Sequence, residues 1–541
     1  MEHRAHRVMA AHGARSMMDK RQAQNRFMGC LSDHSMSGSP LLFARLTIAR
    51  TRLSAFGATM AAAGLLTGCV LGPSYERPAA PDSGPLGEAL LREAAQAERS
   101  MIDAAAPQME WWQGLGDATL SRLVRRAAEY NHDIRLAAAR LREANALLGE
   151  ERFRRYPITD AQGQVTRQRL AAGSGSTLQA VNTVYSANIN AAWELDFFGR
   201  VRRSVEALTA ELDSRDAERN LAFVSVAAEV ARSYTDLRGA QRRLAVAERN
   251  AAVQEETYRL TKALLDGGRG TLLDVTQAKA QLETTRASIP TLRAEIQRHM
   301  NRLAVLVGEA PGALHAELHS AADLPALPER VHIGDAGALL RRRPDVAAAE
   351  ANLAAVTARI GIAKADYFPA VSLNGGAGYI TTDFEDFGSA NSERWSIGPS
   401  FRWAAFDLGR VRARVQAAEA RAEAALAQYE QTVLIALEEA ENSIVSYIRA
   451  RQRQERLALA ESASTEAARL ARLRFRSGAV GFLTVLDAEL RQLDAQDALA
   501  NARVASGQAL VGLYRALGGG WQAAFPFPPE SNAEYHTVQR R

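Results

Sequence analysis

Cysteine is almost absent from this sequence, which has two, Cys30 and Cys69, among 541 residues. Cys30 lies in an N-terminal segment that we expect to be removed, so the mature chain keeps Cys69 alone and forms no internal disulfide. After residue 69 there are only six histidines and three methionines, so no ladder of soft metal ligands is evident. Packing and assembly must therefore hold the protein together.

Basic residues are in slight excess: the chain has 66 Lys and Arg residues and 61 Asp and Glu residues, a net charge of +5. Residues 1–68 account for this excess: nine basic and three acidic residues give +6, which leaves −1 for the rest. No basic stripe with interleaved aromatic residues follows, and this argues against a nucleic-acid partner.

Proline and glycine, the residues that end helices, are missing from long stretches of the chain. The intervals 158–289 and 400–525 contain no proline, and 410–477 contains no glycine. Helices can therefore run unbroken near 200–265 and 410–476. About 66 residues at ~1.5 Å each span roughly 100 Å, which is several times the depth of an ordinary domain.

The N-terminal segment has the pattern of a lipoprotein signal peptide. Arg45, Arg50 and Arg52 precede an apolar stretch at 53–67, which is too short to span a membrane as a helix. The stretch ends in Leu66-Thr67-Gly68-Cys69, a lipobox-like sequence, so we predict that Cys69 carries a diacylglycerol and an N-acyl chain such as palmitate. The alternative is a buried free cysteine.

The leader is also unusually long. Residues 1–35 exceed an ordinary signal-peptide start, and Met28 or Met36 would give a shorter one, so we expect a mis-assigned start or a removed extension.

Most of the remaining chain consists of two copies of one sequence unit, a tandem duplication. Trp193-Glu-Leu-Asp-Phe-Phe-Gly-Arg200 recurs loosely as Trp403-Ala-Ala-Phe-Asp-Leu-Gly-Arg410, at an offset of 210 residues. We divide the sequence into a leader (1–68), an extended Pro- and Ala-rich tether (69–110), a first repeat (111–308), a linker (309–334), a second repeat (335–518) and a C-terminal tail (519–541). The predicted long helices are 200–265, 270–306, 409–476 and 482–516.

Four strands are predicted, at 157–168, 186–198, 369–380 and 394–406, as two hairpins with Ser- and Gly-rich turns near 171–177 and 388–392. In 187–197 and 395–405 the odd positions are mostly apolar and the even positions mostly polar. A water-soluble sheet packed on one face would alternate in the same way. Export, acylation and tryptophans at strand ends favour membrane strands, and because four strands cannot close a barrel, two or three chains must then associate.

Several motifs in order resemble those of the TolC/OprM-like outer-membrane efflux proteins, in particular the NodT-type lipoprotein branch. They are Gly72-Pro-Ser-Tyr-Glu-Arg-Pro78, Trp111-Trp112, the Trp193 motif and Arg341-Arg-Arg-Pro-Asp345. The resemblance covers Cys69 to about Gly518. It implies an α+β membrane fold in a homotrimer, with a 12-stranded β-barrel continued by a long periplasmic α-helical barrel.

The same resemblance implies a function. The protein would be the outer-membrane channel of a tripartite efflux system, a passive duct for drugs or toxic solutes. Its partners would be a periplasmic adaptor and an inner-membrane pump, often of the RND type. The duct of a type I protein secretion system is the alternative. A heavy-metal efflux channel, a structural lipoprotein and a lipid-anchored enzyme are further alternatives, but no catalytic cluster is visible.

The resemblance places the gate and the adaptor contact at two helix-to-helix turns. Asp266-Gly-Gly-Arg-Gly270 and Ser477-Gly-Ala-Val-Gly481 would form the periplasmic tip, with contacts to the adaptor through Gly267, Gly268, Gly270, Gly478 and Gly481. The family motifs suggest a latch between Asp274 and Arg476, an apolar ring of Leu483 and an acidic ring of Asp487. Phe475 stands where relatives often have Tyr, and Leu490 stands where some have a base.

Two other patterns have weaker functional readings. His315 and His319 have a spacing that can bind zinc on a helix, but they follow Pro311-Gly312 and are expected to be exposed loop residues, so no metal site is predicted. Gly267-Gly-Arg-Gly270 lacks the Lys-Ser/Thr of a phosphate-binding loop and suits a tight turn better.

Overall fold

A computed structural model describes residues 70–78, 102–103, 108–169, 181–334 and 336–522. The leader, Cys69, most of the tether and residues 523–541 lie outside the described residues, as does the turn predicted near 171–177.

The two repeats have the same order of elements, and the short helices come first. The first repeat opens with α1 (Ala118–Tyr130) and α2 (His132–Phe153). The second opens with α6 (Ala336–Arg342) and α7 (Pro344–Ala365), and the single turn α5 (His315–Leu318) lies in the linker.

Two long helices follow the strands in each repeat. They are α3 (Arg200–Asp266) and α4 (Leu272–Leu306), then α8 (Leu408–Arg476) and α9 (Phe482–Ala516). Each begins and ends within two residues of the range expected from the sequence. The longest, α8, has 69 residues and is therefore about 100 Å long.

The long helices pair in sequence and then across the repeats. Helix α3 packs on α4, and α8 packs on α9, while α3 also contacts α2, α7 and α9. One face of α8 is a seam of mostly small residues that lie three, four or seven positions apart. Its buried members are Val411, Val415, Ala418, Ala425, Tyr429, Val433 and Ala436.

The strands form one four-stranded antiparallel sheet in the order β2 (Ile158–Arg169), β3 (Val181–Leu195), β5 (Ala370–Thr381) and β6 (Glu393–Arg402). The expected hairpins are β2–β3 and β5–β6, and β3 pairs with β5 to join the repeats. Observed strand ends differ from the expected ones by up to five residues, because β3 begins earlier and β6 ends sooner. Outer strands β2 and β6 each have one unpaired edge in the described chain.

The register places the odd-numbered residues of all four strands on one face. Ile189 lies opposite Ala377, and Ala377 lies opposite Trp395, so apolar side chains share that face. Ile189, Trp395 and Ile397 are 63%, 71% and 69% exposed, although large apolar side chains of this kind are usually buried in water-soluble proteins. This face needs an apolar environment outside the single chain.

The duplication is preserved in detail where helices meet strands. The indole Nε1 of Trp193 donates to the carbonyl of Arg155 at 2.9 Å, and that of Trp403 donates to the carbonyl of Tyr367 at 3.0 Å. In the same way Asn131 donates to the carbonyl of Leu306, as Arg343 does to that of Ala516, both at 2.9 Å. Equivalent contacts therefore fix equivalent helix ends.

Residues on either side of the two repeats pack against the core. Trp111 is 2% exposed and stacks on Tyr514 of α9 with ring centroids 5.1 Å apart. Ile102–Asp103 (β1) pairs in parallel with Val331–His332 (β4), and Trp521 donates to the carbonyl of Arg342. Parts of the expected tether and tail thus make contacts with the core, which composition alone did not indicate.

Candidate functional site

Two glycine-containing turns end the long helix pairs at equivalent places. Gly268 and Gly478 have φ of 67° and 75°, a left-handed conformation that favours glycine. In each turn the next amide donates back to the helix, Arg269 to Leu264 and Ala479 to Arg474, both at 2.8 Å. This is the Schellman pattern that satisfies the last helix carbonyls.

The remaining turn glycines play different parts. A Cβ on Gly270 would lie 2.9 Å from the amide nitrogen of Leu265, so only glycine fits there without a shift. Gly267 caps α3, whereas Gly481 precedes α9 with open space around it.

Asp274 caps the helix in which it lies. Its carboxylate accepts from the Thr271 amide at 3.2 Å and hydroxyl at 2.7 Å, while the Thr271 hydroxyl accepts from the Asp274 amide. This is a capping box, and Thr271-Leu-Leu-Asp274 carries its sequence signature. The second repeat lacks it, because Gly481 and Thr484 stand at the equivalent positions.

Within one chain Arg476 contacts a different acid from the one expected. Its Nη2 donates to Glu256 on α3 at 2.9 Å, and no contact with Asp274 is made within the described chain. The predicted Asp274–Arg476 latch is thus not a contact within one chain. Glu256 lies close enough to pair with the Arg476 guanidinium, and the Asp274 carboxylate is hydrogen-bonded to Thr271 at the start of α4. Phe475 packs against Phe482 with ring centroids 5.8 Å apart, in place of a hydrogen bond.

The expected ring residues lie on the first turns of α9. Leu483 is 67% exposed, so its apolar side chain has no cover in the single chain. Asp487 is also exposed, and its carboxylate accepts from Arg491 Nε at 3.0 Å, four residues further along the helix. The base that the motif lacks at 490 is therefore supplied at 491, and it partly neutralises the acidic position.

Polar side chains on α3 make a row of contacts with α9, which we name the polar row. The α3 members are seven residues apart, a spacing that keeps them on one face: Asp236, Arg243, Asn250 and Thr257. Their α9 partners are Gln508, Asp497, Gln496 and Glu489. Arg243 donates to Asp497 at 2.7 Å and Asn250 to Gln496 at 2.9 Å, so hydrogen bonds join the two helix pairs along much of their length.

The polar row ends near the tip at a buried carboxyl group. Glu489 is 5% exposed and contacts Arg472 Nη1 at 3.2 Å and the Thr257 hydroxyl at 3.3 Å. Burial raises the pKa of Glu489 above its ordinary value, although Arg472 and Thr257 act to lower it. The group therefore ties three long helices together at a position that responds to protonation.

Comparisons with known proteins agree with this geometry. The model of the family described as "Outer membrane efflux protein" matches residues 123–309 and 336–519. The chain is 32% identical over 473 residues to outer membrane protein OprJ of Pseudomonas aeruginosa, covering 87% of this chain and 97% of OprJ.

The chain belongs to the outer membrane efflux protein family.

Two further relatives are similar along nearly the whole protein. The antibiotic efflux pump outer membrane protein ArpC of Pseudomonas putida is 32% identical over 463 residues, covering 84% of this chain and 94% of ArpC. The solved outer-membrane channel OprN is 41% identical with a TM-score of 0.78, covering 84% of this chain and 100% of OprN. The TolC/OprM-like resemblance is confirmed: the chain is the outer-membrane duct of a tripartite efflux system, with its long helices in the periplasm.

In this outer membrane efflux protein, the nine residues after Cys69 are bound to the helices. Arg203 is 4% exposed and donates to the carbonyls of Leu71 at 2.9 Å and Gly72 at 3.0 Å. A Cβ on Gly361 would lie 2.7 Å from the Leu71 carbonyl oxygen, so the segment runs directly over α7. We name residues 70–78 the strap.

The far end of the strap is held by an ion pair. Arg77 donates to both carboxylate oxygens of Glu350 at 2.6 and 2.7 Å, and the Tyr75 hydroxyl donates to the same group. At the other end Val70 lies against Gly199, between β3 and α3. Cys69 is outside the described residues, yet its neighbour is fixed beside the junction of sheet and helices.

The His315–His319 pair has no metal-site geometry in the described chain. The two imidazole rings stack with their centroids 5.8 Å apart, while Glu317, which lies between them in the sequence, forms ion pairs with Arg122 and Arg126. No group of three or more possible metal ligands comes together among the described residues.

Sequence reasoning missed the residues that join the helix pairs. Glu489, Arg472, Glu256 and Arg203 carry no motif and look like ordinary helix charges. One signal was available, since the polar residues at 236, 243, 250 and 257 recur every seven positions along α3.

Proposed function

We propose that three copies of this chain form one channel. The observation that carries the proposal is the sheet, which has an exposed apolar face and an unpaired edge on both β2 and β6. Open edges are not tolerated in lipid, so β6 of one copy must pair with β2 of the next. Three sheets of four strands give twelve strands, the number that the TolC-like fold implies.

The channel is a passive exit duct that receives its substrate from an adaptor and an inner-membrane pump of the RND type. The two tip turns, at 266–270 and 477–481, are the proposed adaptor contacts. Leu272 and Leu273 support this assignment, because they are 70% and 65% exposed beside the first turn. Apolar side chains exposed at a helix end are typical of a protein interface.

Drugs and toxic solutes are the proposed substrates. Support comes from the name of ArpC, an antibiotic efflux component, and from the even-numbered face of the sheet. That face carries polar residues such as Gln164, Asn188, Asn374 and Ser400 and would line a wide aqueous path. A wide polar path does not itself select substrates, so selectivity belongs to the pump.

The tip is proposed as a gate that is closed at rest. Leu483 forms an apolar ring and Asp487, with Arg491, a charged ring about the three-fold axis. Arg476 is the base of the latch, and Glu256 is its acid within the chain. The Asp274–Arg476 contact of the latch is proposed to form between neighbouring copies.

Cys69 is proposed to be triacylated and to anchor the strap in the membrane. Val70, its neighbour, lies against Gly199 at the membrane end of α3. Acyl chains attached one residue earlier would enter the leaflet close to the sheet.

Native mass spectrometry of the detergent-purified protein tests the assembly. A trimer whose first residue is acylated Cys69, and which conducts ions in planar bilayers, is the expected result. A monomer after gentle extraction would leave the sheet edges unpaired and refute the barrel. An unmodified N-terminus in a conducting trimer would refute the lipidation alone.

A further inference from the structure

Two arginines lie on the lipid-facing side of the sheet. Arg167 and Arg169 are odd-numbered residues near the end of β2, opposite Thr183 and Val181 of β3. The register therefore puts them on the same face as Val165, Ile189 and the other exposed apolar residues. A charged residue on this face needs an explanation, because a lipid-facing Arg or Lys costs about 2–4 kcal/mol at the bilayer midplane.

The position of the two arginines along the strand explains how they avoid this cost. Trp193 marks the helix end of β3, and Thr183, the partner of Arg167, is ten residues further along the strand. At about 3.4 Å per residue and a strand tilt near 40°, ten residues rise roughly 26 Å. This equals the ~25 Å height of the apolar band of an outer-membrane barrel, so both arginines lie at its outer boundary.

On β2 and β3 the surface between the two levels is uncharged, and among the described strands Glu393 of β6 is the other charged residue on this face. The odd-numbered residues of β2 below Arg167 are Thr159, Ala161, Gly163 and Val165, and those of β3 above Trp193 are Ala191, Ile189, Ala187 and Tyr185. Arg167 and Arg169 are exposed, and within the described part of the chain neither makes a hydrogen bond or an ion pair. Their guanidinium groups are free to bind a ligand in the headgroup layer.

We propose that Arg167 and Arg169 bind the phosphate groups of a phosphorylated glycolipid in the outer leaflet. The long helices place the other end of the sheet on the periplasmic side, so these residues face the outer leaflet. A guanidinium is a planar fork that matches phosphate oxygens, and it is more weakly hydrated than a lysine ammonium. Three copies would present six such groups around the barrel, which rests on the trimer proposed above.

A lipid titration of the full-length purified protein tests this site. The probe is diphosphorylated lipid A, added to the detergent-solubilised protein and followed by native mass spectrometry. The test variant is Arg167→Gln/Arg169→Gln. The matched control is Arg394→Gln, because Arg394 is exposed near the same end of the sheet but is even-numbered and lies on the polar face.

The expected result is a loss of about 30-fold in lipid A affinity for the double variant and no change for the control. The magnitude follows from roughly fivefold per arginine near a charged lipid surface. Lipid A from which both phosphates have been removed should bind the wild-type and double-variant proteins equally weakly.

Three outcomes would overturn the proposal. The double variant could bind lipid A within twofold of the wild type, or the dephosphorylated lipid could bind the wild type as tightly as lipid A. The double variant could also lose its oligomeric state while the control keeps it, which would assign the arginines to a neighbouring copy, for example to its exposed Glu393. A wild-type monomer that still binds lipid A through these residues would refute the trimer but not this site.

Discussion

Replacing Arg343 should destabilise this protein more than replacing almost any other charged residue. The side chain is 5% exposed at the start of α7 and holds three helices together. Its guanidinium donates to Asp345 at 3.0 and 2.6 Å, to Glu439 of α8 at 2.7 Å and to the last carbonyl of α9, that of Ala516, at 2.9 Å. Burial lowers the pKa of Arg343, but the two carboxylates outweigh it and raise that pKa, so the charge is always present.

The magnitude follows from what Arg343→Met leaves behind. Breaking a buried ion pair by removing one partner costs about 3–5 kcal/mol, because the remaining charge and carbonyl lose their donors. Glu439 is 39% exposed, so water compensates part of its loss and the lower half of this range applies. An unfolding entropy near 2.1 cal/mol/K per residue, over roughly 450 residues, converts 3–4 kcal/mol into a fall in Tm of about 3–4 °C.

The assay is thermal unfolding of the purified protein, followed by circular dichroism at one scan rate. The matched control is Arg341→Met, since Arg341 is two residues away and exposed, and this change should move Tm by less than 1 °C. Arg343→Lys should fall between the two, because an ammonium reaches one carboxylate but cannot supply the fork. Equal Tm values for Arg343→Met and Arg341→Met would show that the buried Arg343 contacts do not stabilise the fold.

Three further predictions concern the strap, the polar row and the latch. Gly361→Ala should release the strap, because the new Cβ would lie 2.7 Å from the Leu71 carbonyl oxygen. The measurement is limited proteolysis, which should cut faster between residues 70 and 78. The control is Gly512→Ala, since a Cβ at Gly512 would meet no atom within 4 Å. Glu489→Gln should remove a pH effect. Since burial raises the Glu489 pKa, the folded protein takes up the proton more readily than the unfolded chain. The wild type therefore gains Tm from this group as pH falls from neutral towards the ordinary glutamate value of ~4.3, and loses that gain as pH rises through the raised pKa. An unchanged slope of Tm against pH in Glu489→Gln would contradict this prediction. The control is Glu466→Gln, which should not flatten the slope because Glu466 is exposed and its pKa is lowered. Arg476→Ala and Glu256→Ala should each make the closed channel leakier in planar bilayers, by similar amounts if the 2.9 Å contact is the latch. Asp274→Ala tests the cap instead: a lower Tm without added conductance would assign it to the helix start alone.

The long helices and the strands could be predicted from the amino-acid sequence alone. Missing proline permits α3 and α8 to run unbroken, α8 also lacks glycine after Gly409, and a two-residue alternation distinguishes β3 and β6 from these helices. These are local properties, set by the backbone preferences of successive residues, and the duplicated motifs fixed their order. The family also followed from sequence, because Gly72-Pro-Ser-Tyr-Glu-Arg-Pro78 and the Trp193 motif occur at the expected places.

The pairing of the charged residues could not be predicted from the sequence, because it depends on how the helices pack. The motif alone predicts that Arg476 and Asp274 are partners. In the fold Arg476 instead forms an ion pair with Glu256, and Asp274 accepts a hydrogen bond from Thr271. Glu489 looks in sequence like any exposed helix acid, and its burial depends on three helices that pack together only in the fold. Ion pairs form between side chains a few ångströms apart, and that distance depends on helix packing over hundreds of residues, which no local pattern encodes.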